Sequence, residues 1–175
     1  MPQREARFVV NAPPHELWGF IRDFESLCTC IPGVERLRRV DDRTAELTVK
    51  EKVGVVPLIV DLTARIESEE PPRSLHAVAR AEHLTMEIDV ALQGTASGTE
   101  LLALFKVAGE GQLKPVVDRL FERRATERAA QFADCLEKRF GSAAPGTVPR
   151  DVPAPGWLGQ IGRWLELLWR RLLGR

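Results

Sequence analysis

The chain has no tyrosine, only three cysteines and three histidines, and a formal net charge of zero over 175 residues. Each shortage removes a class of function. Cys28, Cys30 and Cys135 show no framework spacing, so they are read as small buried thiols suited to a reducing cytosol. No second cysteine pair accompanies Cys28 and Cys30, and His15, His76 and His83 are scattered, so no structural metal is expected. There is no glycine-rich phosphate loop, no Walker motif and no internal repeat. A neutral chain with a slightly acidic body gives nucleic acid nothing to grip. The opening MPQREARFVV has no apolar run of signal-peptide length, so a cytoplasmic location is expected.

The charge is unevenly spread. From Pro145 onward Arg150, Arg163, Arg170, Arg171 and Arg175 stand against Asp151 and Glu166, a net +3 that leaves −3 on the rest. Residues 141–156, GSAAPGTVPRDVPAPG, carry four prolines without apolar periodicity and read as an extended linker. Residues 157–175, WLGQIGRWLELLWRRLLGR, hold three of the four tryptophans. At about 100° per residue, Trp157, Leu158, Ile161, Trp164, Leu165, Leu168, Trp169, Leu172 and Leu173 share one half of a helix. Gln160, Arg163, Glu166 and Arg170 take the other half, with Arg171 at its edge and Leu167 the one large apolar residue among them.

Leucine and tryptophan opposite arginine suit a helix lying in a membrane interface. Spanning the bilayer would put Arg163, Glu166, Arg170 and Arg171 in or near hydrocarbon, at roughly 2.5–3.5 kcal/mol each near the centre. Against anionic lipid, each nearby arginine is instead worth about 1 kcal/mol. A partner protein or the protein's own core are the alternatives, and the linker argues against the second. The expectation is a domain over 1–140, a linker over 141–156 and an amphipathic tail over 157–175, peripheral on the inner face of the cell membrane.

The body reads as α+β. A strand over Arg4–Asn11 leads to Pro13-Pro14, which open a helix over His15–Phe24 with Leu17, Trp18, Phe20, Ile21 and Phe24 on its apolar side. Glu25–Cys30 suggests a second short helix, stopped by Pro32-Gly33. Strands follow at Val34–Val40, Thr44–Val53, Pro57–Glu67, Leu75–Ala81, Leu84–Leu92 and Leu101–Val107, all but the first with the period-two alternation of a sheet strand. Pro115–Phe140 is one long helix with the stripe Val117, Phe121, Ala125, Ala129, Phe132 and Leu136. Seven antiparallel strands would thus wrap a C-terminal helix on their concave side.

The inward set is rich in alanine: Ala45, Ala64, Ala77, Ala79, Ala81 and Ala103 from strands, Ala125 and Ala129 from the helix. Small residues mean either a close helix or a void. The reading taken is a dry cavity for an apolar guest, lined by Leu47, Val49, Val60, Leu62, Ala77, Ala79, Met86, Ile88, Val90, Phe105, Phe121, Ala125 and Phe132. Val55 and Val56, at a hairpin tip, are the candidate gate. Glu51 falls on the inner face and Arg128 beside the helical stripe. They read as a rim carboxylate and a snorkelling guanidinium, or Arg128 as a donor to a ligand carbonyl. The inner face offers no Ser–His–acid set, no Cys–His set and no carboxylate pair, so no enzyme is expected.

Five segments in order carry a family likeness. They are Phe8-Val9-Val10 with Ala12-Pro13-Pro14 and Leu17-Trp18, Cys30-Ile31-Pro32-Gly33-Val34, Lys52-Val53-Gly54-Val55-Val56-Pro57, Glu70-Pro71-Pro72-Arg73, and Gly94-Thr95-Ala96-Ser97-Gly98 with Thr99. Over residues 4–140 the chain resembles the START-like (SRPBCC) superfamily and, within it, the carbon monoxide dehydrogenase G-subunit family. The polar GEGQLK after Ala108 departs from that pattern. The resemblance implies a helix-grip fold and an accessory role beside a molybdenum carbon monoxide dehydrogenase-type or other gas-oxidising enzyme. It also implies membrane recruitment and reversible carriage of an isoprenoid quinone such as menaquinone. A cyclase-like enzyme and a plain membrane anchor are the other readings.

Overall fold

In a computed structural model of the protein, the structure describes residues 2–53 and 55–141. The tail and nearly all of the linker, on which the membrane reading rests, lie outside the described residues. Among the described residues no helix is long and apolar enough to cross a membrane.

The elements run β1 (Gln3–Val10), α1 (Pro14–Arg22), α2 (Phe24–Cys28), β2 (Val34–Arg39), β3 (Thr44–Val53), β4 (Val56–Glu70), β5 (Ser74–Ala81), β6 (Leu84–Thr95), β7 (Gly98–Gly109), a 3-10 turn (Gly111–Leu113) and α3 (Lys114–Phe140). The strands form one seven-stranded sheet in the order β1-β7-β6-β5-β4-β3-β2, each neighbouring pair antiparallel. With α3 along the concave side, this is the helix-grip architecture that the alternation predicted. Strands β4, β6 and β7 run a few residues longer than their apolar patterns. Register shifts at Ile66/Ser68 and Val34/Arg36 bend the sheet where it must curl.

The first helix ends sooner than its apolar pattern suggests. Asp23 is extended, at φ −90° and ψ 110°, and its carboxylate accepts from Ser26 N at 2.9 Å. It therefore stops α1 and caps α2, so Phe24 belongs to the second helix. That hydrogen bond also lowers the Asp23 pKa. Arg22, at the end of α1, forks onto Glu69 of β4 at 2.6 and 3.3 Å and donates to the Asp42 carbonyl at 2.6 Å. This ties the short helices across one end of the sheet.

That end is the packed base. Phe8, Val10, Leu17, Phe20, Ile21, Leu92, Leu101, Ala103 and Leu136 are buried together. A smaller cluster of Ile66, Leu75 and Ala77 joins through Trp18 and Val90, which pack on both. Thr99, fully buried, donates to the Ala12 carbonyl at 2.7 Å. Gly98 sits at φ +143°, where a Cβ would lie 2.1 Å from the Val10 carbonyl oxygen, so only glycine fits that crossing.

The cysteine expectation is corrected here. Cys30 and Cys135 form a disulfide with Cα atoms 5.4 Å apart and 105 residues between them in sequence. The fold brings the end of the α2 loop against the last turns of α3, so two of the three cysteines are a crosslink and not free thiols. Cys28 stays free, and burial pushes its thiol up to about 11, leaving it protonated and a poor nucleophile at neutral pH.

Candidate functional site

The sheet's concave face is set by the alternation of its strands. Pairing places Leu47 opposite Leu62 and Val49 opposite Val60, while Ala79 faces Met86 and Ala77 faces Ile88. Helix α3 covers this face unevenly. Its backbone runs mainly against β7 and β1. Near its start it crosses so close to Gly109 that a Cβ there would lie 2.9 Å from Lys114 Cα and Val117 Cβ.

The core stops part-way along α3. Ala129, Phe132, Ala133, Cys135 and Phe140 pack on the base cluster, and nothing from α3 before Ala129 does so. Phe132 meets Phe8 edge-on at 5.3 Å between ring centroids, and Phe140 meets Phe20 at 5.5 Å. Of the predicted cavity residues, Val90, Phe105 and Phe132 therefore pack against the base, and Ala77 and Ala79 are buried. Leu47, Val49, Val60, Leu62, Met86, Ile88, Phe121 and Ala125 belong to neither cluster and remain partly exposed. Solvent therefore reaches these apolar side chains on the inner face of the sheet and on α3. At the candidate gate Val55 is 98% exposed, while the Val56 side chain lies outside the described residues.

On the β3 flank the span is polar. Arg128 pairs with Glu51, both partly buried. Arg124 pairs with Glu127 and reaches the Lys52 carbonyl at 3.4 Å. Around these groups lies a depression of about 350 Å³, walled by Gly33–Glu35, Lys50–Lys52, Arg124 and Arg128. The sequence singled out Glu51 and Arg128 separately. Their pairing, and the part of Arg124, needed the helix position to be seen.

The convex face carries a second polar group. His76 Nδ1 lies 2.7 Å from Asp89 and Nε2 4.0 Å from Glu67. The sequence put His76 on the wet side; the side chain is on that face but only 17% exposed. The Asp89 hydrogen bond raises its pKa, against partial desolvation.

The model of the carbon monoxide dehydrogenase G-subunit (CoxG) family matches residues 7–141. The chain belongs to the CoxG family. The match runs from the middle of β1 through the rest of the helix-grip unit and ends one residue after α3. No curated protein sequence matches the chain. Among solved structures, a conserved protein from Geobacillus kaustophilus is 15% identical with a TM-score of 0.67, covering 79% of this chain and 95% of its own. A START superfamily protein from Mycobacterium smegmatis is 14% identical at a TM-score of 0.61, covering 78% and 98%. The Zhui aromatase/cyclase from Streptomyces sp. R1128 is 13% identical at 0.59, covering 83% and 99%. At such identities the likeness places this CoxG family member in the START-like fold and goes no further.

Proposed function

We propose that this protein carries a lipophilic molecule, of the isoprenoid quinone class, between the sheet and α3. In this reading it serves a molybdenum carbon monoxide dehydrogenase-type or related gas-oxidising enzyme. Residues 157–175 hold it on the inner face of the cell membrane. The observation that supports carriage is the break in the core at Ala129, beyond which eight apolar side chains of β3, β4, β6 and α3 stay partly open. Such a lining favours an apolar guest over water, which needs several polar partners. Family membership supports the accessory role and the partner. Among the described residues that face supplies no nucleophile–base set, which favours a carrier over a catalyst.

The test is to extract lipid from full-length protein purified out of quinone-containing membranes and identify it by mass spectrometry. An isoprenoid quinone is expected. Recovering none, with no uptake of added menaquinone-4, overturns the reading. Ala125→Leu separates carrier from anchor. It should abolish quinone uptake and electron delivery to the membrane, yet leave the enzyme membrane-bound. Deleting 157–175 should release the enzyme into the soluble fraction.

A further inference from the structure

The cleft changes character at one place. Along the inner face of β3, Val49 is followed by Glu51, so apolar lining gives way to charge within about 7 Å. On α3 the same change occurs between Ala125 and the arginines that flank it in sequence, Arg124 and Arg128, one helical turn apart. Lys50 and Lys52 join these arginines around the 350 Å³ depression, against Glu35 and Glu51. With Glu127 on Arg124, Glu51 on Arg128 and Glu35 on Lys50, the charges nearly balance, and what the depression offers is a surplus of N–H donors, which suits a group rich in acceptor oxygens.

The guanidiniums can serve such a group without giving up their present partners. An arginine has five N–H donors and no acceptor. Arg128 directs one nitrogen to Glu51 and another to Gln131 Oε1 at 3.2 Å. Arg124 directs one to Glu127 and another to the Lys52 carbonyl. Each retains further N–H groups beyond those bonds. The opposite wall is held in place by backbone. Lys50 N donates to the Gly33 carbonyl at 2.8 Å, and Gly33 sits at φ +88° with no room for a Cβ.

We propose that this depression is the head-group subsite of the cleft. The guest is an amphiphile whose chain lies along Leu47, Val49, Val60 and Leu62. Its head presents acceptor oxygens, such as quinone carbonyls, to Arg124 and Arg128 at the β2–β3 surface. The inference rests on the carrier reading and adds where the head sits and which head chemistry is selected.

The test compares two isoprenoids offered to full-length protein from dodecyl maltoside micelles and quantified by mass spectrometry after re-isolation. Menaquinone-4 has a head with two carbonyls; squalene has none. Wild type should take up both. Arg124→Gln with Arg128→Gln should weaken menaquinone-4 uptake about tenfold or more and leave squalene within about twofold. Glu51→Gln frees Arg128 and keeps its surroundings, so menaquinone-4 should bind as well or more tightly. Equal losses for both ligands, no loss for either, or a loss of menaquinone-4 in Glu51→Gln would reduce these residues to a strut and overturn the subsite. If wild type takes up neither ligand, the carrier reading itself fails and takes the subsite with it. If wild type takes up squalene but not menaquinone-4, the cleft reading survives and the head-group subsite does not.

Discussion

The two flanks of α3 are held by different physics. Toward β7, β1 and the short helices α3 packs: Phe132 on Phe8 of β1, Phe140 on Phe20 of α1, Leu136 buried, and Cys135 bonded to Cys30 after α2. Toward β3 it reaches across with Arg124 and Arg128. Packing is short-ranged and removes space. Long charged side chains can bridge a gap that remains open beneath them. The difference teaches that most of the packing that holds the fold lies on one flank, with the proposed room for a guest on the other, so substitutions should divide accordingly.

The largest expected effect is at the base. Leu17→Ala removes a fully buried side chain between α1 and the sheet and should cost about 3 kcal/mol or more in urea unfolding. Phe121→Ala, on the open side, should cost about half as much or less, because its side chain is partly exposed and belongs to neither core cluster. Similar costs at the two sites would mean that the cleft is packed and the comparison is wrong.

The crosslink comes next. Closing a loop of about 100 residues restricts the unfolded chain, and such bonds are typically worth about 2–4 kcal/mol. Reduction with dithiothreitol, or Cys135→Ser, should lower Tm by several degrees and shift non-reducing gel mobility. Menaquinone-4 uptake should persist below the new Tm, since Cys135 lies on the packed flank. Uptake lost in step with the bond, in protein still folded, would show that the two flanks are coupled.

The β3 flank should respond weakly. Arg128→Gln breaks a partly exposed ion pair and leaves Glu51 with access to water, so unfolding should change by about 1 kcal/mol or less. A cost above about 3 kcal/mol would mean that the pair, and not the β7 side, holds the helix.

The fold was largely legible because a half-buried sheet writes its pleat into the sequence. Ala45, Leu47 and Val49 against Glu46, Thr48 and Lys50 specify both a strand and its inner face. The long helix was legible from its stripe, but how far that stripe is buried was not. Val117 and Leu136 look alike as periodic apolar positions, yet only Leu136 lies in the core. Burial depends on where the helix crosses the sheet, and that is set by the contact at Gly109 and the aromatic pairs at its far end. The same blindness hid the disulfide, since a separation of 105 residues says nothing of distance in space. It also hid the Glu51–Arg128 pair, whose members were each noticed for their own position.

The smallest effect expected is a pH dependence that neither flank controls. His76 on β5 faces Asp89 and Glu87 of β6 and Glu67 of β4. Lys106 of β7 reaches Glu87 and Asp89, and Arg80 lies 3.6 Å from Glu67. Hydrogen bonding to Asp89 raises the folded-state pKa above the ordinary 6.5, so the protonated imidazole favours the folded chain. That stabilisation is complete below about 6.5 and is lost as pH climbs through the raised value. Urea midpoints should therefore fall modestly between pH 6 and pH 8, and His76→Gln should flatten this segment of the profile. The cluster sits on the convex face, so Arg128→Gln should lower the midpoint by the same amount at both pH values. A cost of Arg128→Gln that varied with pH would show that the outer cluster and the β3 flank act as one unit, and the division between the flanks would have to be redrawn.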